Sequence, residues 1–204
     1  MKKTHQIGLM TALLASVAFT TYAQDPVQSV SPSTSSDKEF RLSVGPEFGL
    51  PLGNFSNAYN WTFGGSVQAD IPILSRFYVT VNAGYNEAFV KTNSGDDNPG
   101  RDLQLIPVKA GLKYFFFDDL VYVQGQAGAT FLANKTETGA DKSAGFTYSP
   151  QVGVLLKLAP KNYIDAGFYW QQTQSFWTGG SDLNTLGVQV AYSFGLYLTM
   201  PFMT

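Results

Sequence analysis

WTFGGSVQADIPI, residues 61–73, decides how this chain folds. Trp61, Phe63, Gly65, Val67, Ala69, Ile71 and Ile73 take one set of alternate positions, and Thr62, Gly64, Ser66, Gln68 and Asp70 take the other. A period of two puts successive side chains on opposite faces of an extended strand, here one apolar and one polar. Alternating runs recur at 40–50, 77–85, 106–114, 121–131, 146–156, 164–170 and 186–194, which makes eight. A tilted strand needs roughly 9–11 residues to cross a bilayer, and these runs have that scale. The expected fold is all-β: an eight-stranded antiparallel up-and-down transmembrane β-barrel over residues 39–194.

The connections alternate as well. Leu74–Arg76, Phe117–Asp119 and Ala159–Asn162 are tight, whereas Pro51–Asn60, Lys91–Arg101, Asn134–Ala144 and Gln172–Asn184 are longer and rich in Gly, Asn and Asp. Short turns at one end and long loops at the other are the outer-membrane pattern, and an even strand count puts both termini at the turn end. A soluble barrel or sandwich also alternates. Three features favour the membrane. The polar face is mostly Gly, Ser, Gln, Asn and Thr rather than the charged residues of a washed surface. The apolar face runs through nearly every strand and would aggregate in water. Aromatic residues gather near strand ends, where two interfacial girdles would place them; Phe40, Trp61, Phe77, Tyr114, Trp170, Tyr192 and Phe194 are the candidates.

Composition agrees. Charged residues are 14% of the 204 and aromatics 15%, with 20 glycines and no cysteine. Residues 1–23 read as a signal peptide: Lys2 and Lys3, an apolar stretch from Ile7 to Phe19, and small residues in Thr21-Tyr22-Ala23. That stretch is too short for roughly 30 Å of hydrocarbon. Its removal leaves 11 basic and 15 acidic residues, a balance of −4, with no basic field for nucleic acid. Residues 24–38 (QDPVQSVSPSTSSDK) read as a flexible periplasmic tether.

The leader, LIPVKAGLKYFF (Leu105–Phe116) and LGVQVAYSF (Leu186–Phe194) resemble the small outer-membrane β-barrel or porin-like families of Gram-negative bacteria, of the OmpX, OmpW and OmpA-barrel types. The resemblance implies an outer-membrane location, a surrounding of lipid and lipopolysaccharide, and insertion by the barrel-assembly machinery. That machinery reads a closing strand with a terminal aromatic, here Phe194. Gly195–Thr204 follows it, as a C-terminal extension or a continuation of the last strand.

Chemistry is sparse. The one histidine, His5, lies in the leader, so the mature chain has neither His nor Cys. Nucleophilic pairs built on these residues and ordinary His-containing metal sites are excluded, and no cofactor motif is present. Families of outer-membrane barrel enzymes depend on histidine, so no catalytic activity is expected. Asp96-Asp97 and Asp118-Asp119 read as solvated loop and turn residues. Buried charges need partners, so the lumen is expected to hold ion pairs: Lys157 directly opposite Asp165, Arg41 near Asp70, and Glu47 with Lys109. Phe55, Tyr59, Trp61, Phe176 and Trp177, at or near loops, read as interface anchors or as a surface for a partner or sugar. The reading that follows is a filled barrel with a structural or surface-interaction role and an unidentified extracellular partner. A narrow pore or transporter for small solutes or apolar molecules is the alternative. Pro46, Pro107 and Pro150 mark places where a wall is weakened or kinked.

Overall fold

The computed structural model describes residues 39–91, 100–117 and 119–196. The proposed leader and tether, Asp96, Asp97, Asp118 and the tail beyond Leu196 lie outside them. Eight strands follow in sequence: β1 (Phe40–Leu52), β2 (Tyr59–Pro72), β3 (Phe77–Val90), β4 (Leu103–Phe116), β5 (Val121–Leu132), β6 (Ala144–Ala159), β7 (Asn162–Thr173) and β8 (Leu183–Leu196). Each pairs antiparallel with the next, and β1 also pairs with β8, so the sheet closes on itself. The last strand runs two residues past Phe194 and sets Leu196 opposite Phe40.

Direct cross-strand partners, followed once round, measure the stagger of the barrel. The row runs through Phe77, Tyr114, Val123, Val152, Phe168, Val188, Phe48 and Phe63, and returns to β3 ten residues above its start, at Glu87. That shear over eight strands inclines them by roughly 40° to the axis and leaves an interior just wide enough for side chains to fill.

The period of two sets the two faces. In β1, Arg41, Ser43 and Glu47 are buried while Val44, Phe48 and Leu50 are exposed. In β5, Tyr122, Gln124, Gln126 and Thr130 are buried while Val123 and Phe131 are exposed. The barrel is therefore polar within and apolar without, the inverse of a soluble protein. Pro46, Pro107 and Pro150 each keep a direct partner on one side, in Gly65, Thr130 and Gly125. On the other side each interrupts the ladder, between β1 and β8, β3 and β4, and β6 and β7. Proline has no N–H to give there.

Residues 73–76, 117–120 and 160–161 make short turns at one end. Phe117, Asp119 and Lys161 adopt φ of 45°, 63° and 67° in these turns, the left-handed region that non-glycine residues rarely occupy. The other end carries residues 53–58, containing α1 (Phe55–Ala58), 91–102, 133–143, containing α2 (Lys135–Thr138), and 174–182.

Candidate functional site

The lumen is the first place to look for a site, and its side chains fill three levels. At the turn end, Arg41 sits in a box of rings. Its guanidinium carbon lies 4.8 Å from the Tyr78 centroid and 5.2 Å from those of Phe115 and Tyr163. One Nη donates to the Tyr78 hydroxyl at 3.1 Å, and Glu39 and Asp119 lie 3.8 and 3.9 Å from the guanidinium. Cation–π attraction is strongest where water is excluded.

In the middle, Lys113 reaches from β4 to carboxylates on two other walls. Its Nζ donates to Asp70 Oδ2 on β2 at 2.8 Å and to Asp165 Oδ2 on β7 at 2.9 Å, with all three side chains essentially fully buried. The Tyr122 ring lies 4.2 Å from Nζ, and its hydroxyl donates to Asp165 Oδ1. Gln151 Nε2 donates in turn to the Tyr122 hydroxyl at 2.7 Å. Gln68 donates to Asp70 Oδ1 at 2.8 Å and exchanges hydrogen bonds with Gln124, while Gln126 donates to Gln68 and Thr80. Glycine makes room for the tyrosine: a Cβ at Gly153 would stand 2.4 Å from the Tyr122 hydroxyl, and one at Gly167 2.9 Å. Just above, Glu47 accepts from Ser66 Oγ and from Asn86 Nδ2 at 3.1 Å, and Lys109 Nζ donates to Gln171 Oε1 at 2.9 Å.

At the loop end the filling becomes apolar. Phe55 from α1, Ala140 from the third loop and Phe176 from the fourth pack on the inward Ala88, Leu103, Leu105, Leu132 and Leu183. The loops are tied over this cap. Thr178 N–H donates to Asp141 Oδ2 at 2.7 Å and Lys142 N–H to the Phe176 carbonyl at 2.9 Å. That backbone donor holds the Asp141 carboxyl below its ordinary pKa. Asp182 accepts from Ser175 N–H and Gln172 Nε2, and Asn134 joins Asp102 to Gln104. Between the first and last loops lies a cleft of about 220 Å³, lined by Asn54, Phe55, Ala58, Tyr59, Trp177, Ser181 and Leu183. Asn54 Nδ2 donates to Ser181 Oγ at 2.8 Å there.

The structure rearranges the expected pairings. Arg41 and Asp70 are direct partners across β1 and β2, but the ammonium on Asp70 is that of Lys113. Glu47 and Lys109 both face inward, and each is held by neutral groups. The Lys157–Asp165 pairing is overturned. Lys157 is exposed and stands opposite Tyr163, while Asp165 stands opposite Leu155. The turn is shorter than the spacing suggested: Ala159 pairs with Asn162, a one-residue register shift separates that pair from Lys157 and Tyr163, and the ladder beyond stands two residues from the expected register. An even slip keeps every side chain on its face and changes only its neighbour. Lys113 belonged to the polar alternation of β4, but sequence carries no signal for a partner across the lumen. Phe55 and Phe176 are also corrected: both are buried in the cap rather than displayed.

The aromatic positions form two groups on the outer wall. Trp61 stacks between Phe48 and Phe89, with centroids 5.9 and 4.2 Å away, and Trp170 meets Tyr148 at 5.5 Å, toward the loop end. Phe77 meets Tyr114 at 4.5 Å and Tyr192 meets Phe194 at 6.4 Å, toward the turn end, where Phe40 also lies.

The family model for the outer membrane protein beta-barrel domain matches residues 11–194. Comparison with curated proteins returns no match. Among solved structures, the chain is similar to the outer membrane protein AlkL, determined in lipid bilayers, at 15% identity and a TM-score of 0.54, covering 89% of this chain and 100% of that one. It is similar to OprG of Pseudomonas aeruginosa at 9% identity and 0.52, covering 78% and 96%. It is also similar to Ail of Yersinia pestis, solved with the heparin analogue sucrose octasulfate, at 12% identity and 0.50, covering 78% and 99%. At these identities the likeness is one of fold.

Proposed function

Since the chain belongs to the outer membrane protein beta-barrel domain family and resides in the outer membrane of a Gram-negative cell, we propose that it is a closed, non-conducting barrel that presents its loop end at the cell surface. The observation that carries this reading is Lys113, held between Asp70 and Asp165 across the lumen. An ammonium and two carboxylates buried together cost several kcal/mol each in lost hydration unless their geometry compensates. An open channel would hydrate them and weaken these contacts, whereas here all three side chains are buried. The apolar cap above and the ring-boxed Arg41 below close the same path twice more. This reading assigns the chain no catalytic role, in keeping with the lack of His and Cys beyond the proposed leader, on which Ser–His and Cys–His pairs depend.

In this reading the loops face outward, the turns face the periplasm, lipid and lipopolysaccharide cover the apolar wall, and the barrel-assembly machinery inserts the chain by its closing strand. The cleft beside Tyr59 and Trp177 is the surface feature best suited to a partner, because aromatic faces and an amide–hydroxyl rim meet there. Planar-bilayer recording tests the closure: the expected result is no current steps, and steady ion-carrying steps would overturn it. Orientation is read separately. The chain has no cysteine, so Ser181→Cys labels alone. A membrane-impermeant maleimide should reach it on whole cells, and labelling that required a permeabilised outer membrane would reverse the assignment.

A further inference from the structure

Among the described residues, the three most exposed large apolar side chains are Phe117 at 77%, Leu158 at 61% and Leu74 at 58%. Each stands in or beside a different one of the three short turns. Ile73 and Leu120, in the same turns, are 44% exposed. The loop end does the opposite and tucks Phe55 and Phe176 into the lumen. Phe117 adopts a positive φ that disfavours any side chain, in a turn closed by the Leu120 N–H donating to its carbonyl, and its ring stands outward. Left in water, an apolar collar at every turn would be an aggregation hazard.

We propose that this collar docks into the phospholipid leaflet at the turn end, with the turns at headgroup depth instead of projecting into the periplasm. The occupant follows from two features. The collar continues the lipid-facing wall, because Leu158 extends the outward row of Val152, Val154 and Leu156 on β6 and Phe117 follows the outward Phe116. Its charge is complementary to phosphate as well: Arg76 and Lys157 are exposed beside these side chains, while Glu39 and Asp119 are engaged by Arg41. Apolar side chains in the acyl boundary with cations at the phosphates form the arrangement of an interfacial anchor. A second copy of the chain or a periplasmic protein would call for acidic or hydrogen-bonding complements instead. The leaflet named here rests on the orientation proposed above, which the Ser181→Cys labelling tests independently.

The test is depth measurement by spin label. Ser75 lies in the first turn, between Leu74 and Arg76, and is exposed. Ser75→Cys carries the label, with the protein in vesicles of phosphatidylcholine and phosphatidylglycerol. The expected label is open to oxygen and shielded from a nickel chelate, in contrast to a label at Ser181→Cys. In the same background, Leu74→Ser, Phe117→Ser and Leu158→Ser together should raise chelate access. Arg76→Gln and Lys157→Gln should each weaken the retention of phosphatidylglycerol by roughly five-fold. Heat-modifiable gel mobility confirms that each variant is folded. Equal chelate access at Ser75→Cys and Ser181→Cys would overturn the proposal, as would variants that leave both access and lipid retention unchanged.

Discussion

The two ends of this barrel solve opposite problems with the same kinds of residue. At the loop end, α1 and the third and fourth loops fold Phe55, Ala140 and Phe176 inward onto strand residues such as Leu103, Leu132 and Leu183. At the turn end, Phe117, Leu158 and Leu74 point away from the protein, and the lumen is stopped by Arg41 among Tyr78, Phe115 and Tyr163. A loop of six to twelve residues is long enough to bend its own side chain back over the mouth; a turn of two to four residues is not. Where the chain cannot cover the opening with loop residues, it does so with long side chains from the strands. Apolar residues in the short turns then have only the membrane to enter.

The contrast has a hinge in the middle layer, and the largest effect is expected there. Lys113→Leu strands Asp70 and Asp165 without their ammonium and should cost about 3–5 kcal/mol in urea unfolding from lipid vesicles. Replacing Lys113, Asp70 and Asp165 together by apolar residues should recover much of that loss. If the single variant unfolds like the wild type, the lumen is wet and the ends do not seal it. Next comes the loop end. Phe176→Ala opens a hole in the cap and should cost about 3 kcal/mol in the same assay; a negligible change would mean the loop lies on the surface and the two ends do not differ.

At the turn end the same kind of truncation should do little. Phe117→Ser in detergent micelles is expected to stay within about 0.5 kcal/mol of the wild type, because no packed neighbour is lost. A cost comparable to that of Phe176→Ala would erase the distinction between a packed end and a displayed one. The smallest effect concerns how the cap is tied down. The Asp141 carboxyl is held below its ordinary pKa by the Thr178 N–H. A carboxyl lowered on folding contributes fully above its unfolded value, and the contribution fades as pH falls through the lowered one. Hydrogen exchange at the Thr178 amide, corrected for intrinsic rate, should therefore quicken in acid, and Asp141→Asn should remove the pH dependence. Protection that does not change with pH would show that the clasp is not what holds the fourth loop.

What the sequence reveals depends on whether a segment has a period. Strands have one, so the faces of Arg41, Glu47, Asp70, Lys109 and Asp165 were legible one residue at a time, each from its immediate neighbours. Loops have none, so nothing in the local pattern of Phe55 or Phe176 distinguishes a side chain displayed to solvent from one folded into the mouth. Partners across the lumen were equally hidden. Asp70 and Asp165 were recognised as inward carboxylates and assigned the wrong cations, because the right one stands on neither neighbouring strand.

By itself, then, the sequence determined that the chain makes eight strands, which face of each meets lipid, which end carries the loops, and that the chain holds no cysteine and a single histidine, His5. All of these follow from composition and from a side-chain period that each strand carries alone. The tertiary structure decided that Lys113 bridges two walls, that Lys157 lies outside the network, that the mouth is capped by its own loops and that the turns display their apolar residues. Those outcomes depend on the ten-residue stagger at which the barrel closes and on a register between β6 and β7 that slips two residues from the expected one. Stagger and slip belong to the closed sheet as a whole, because they move whole strands past one another without changing the face that any residue presents.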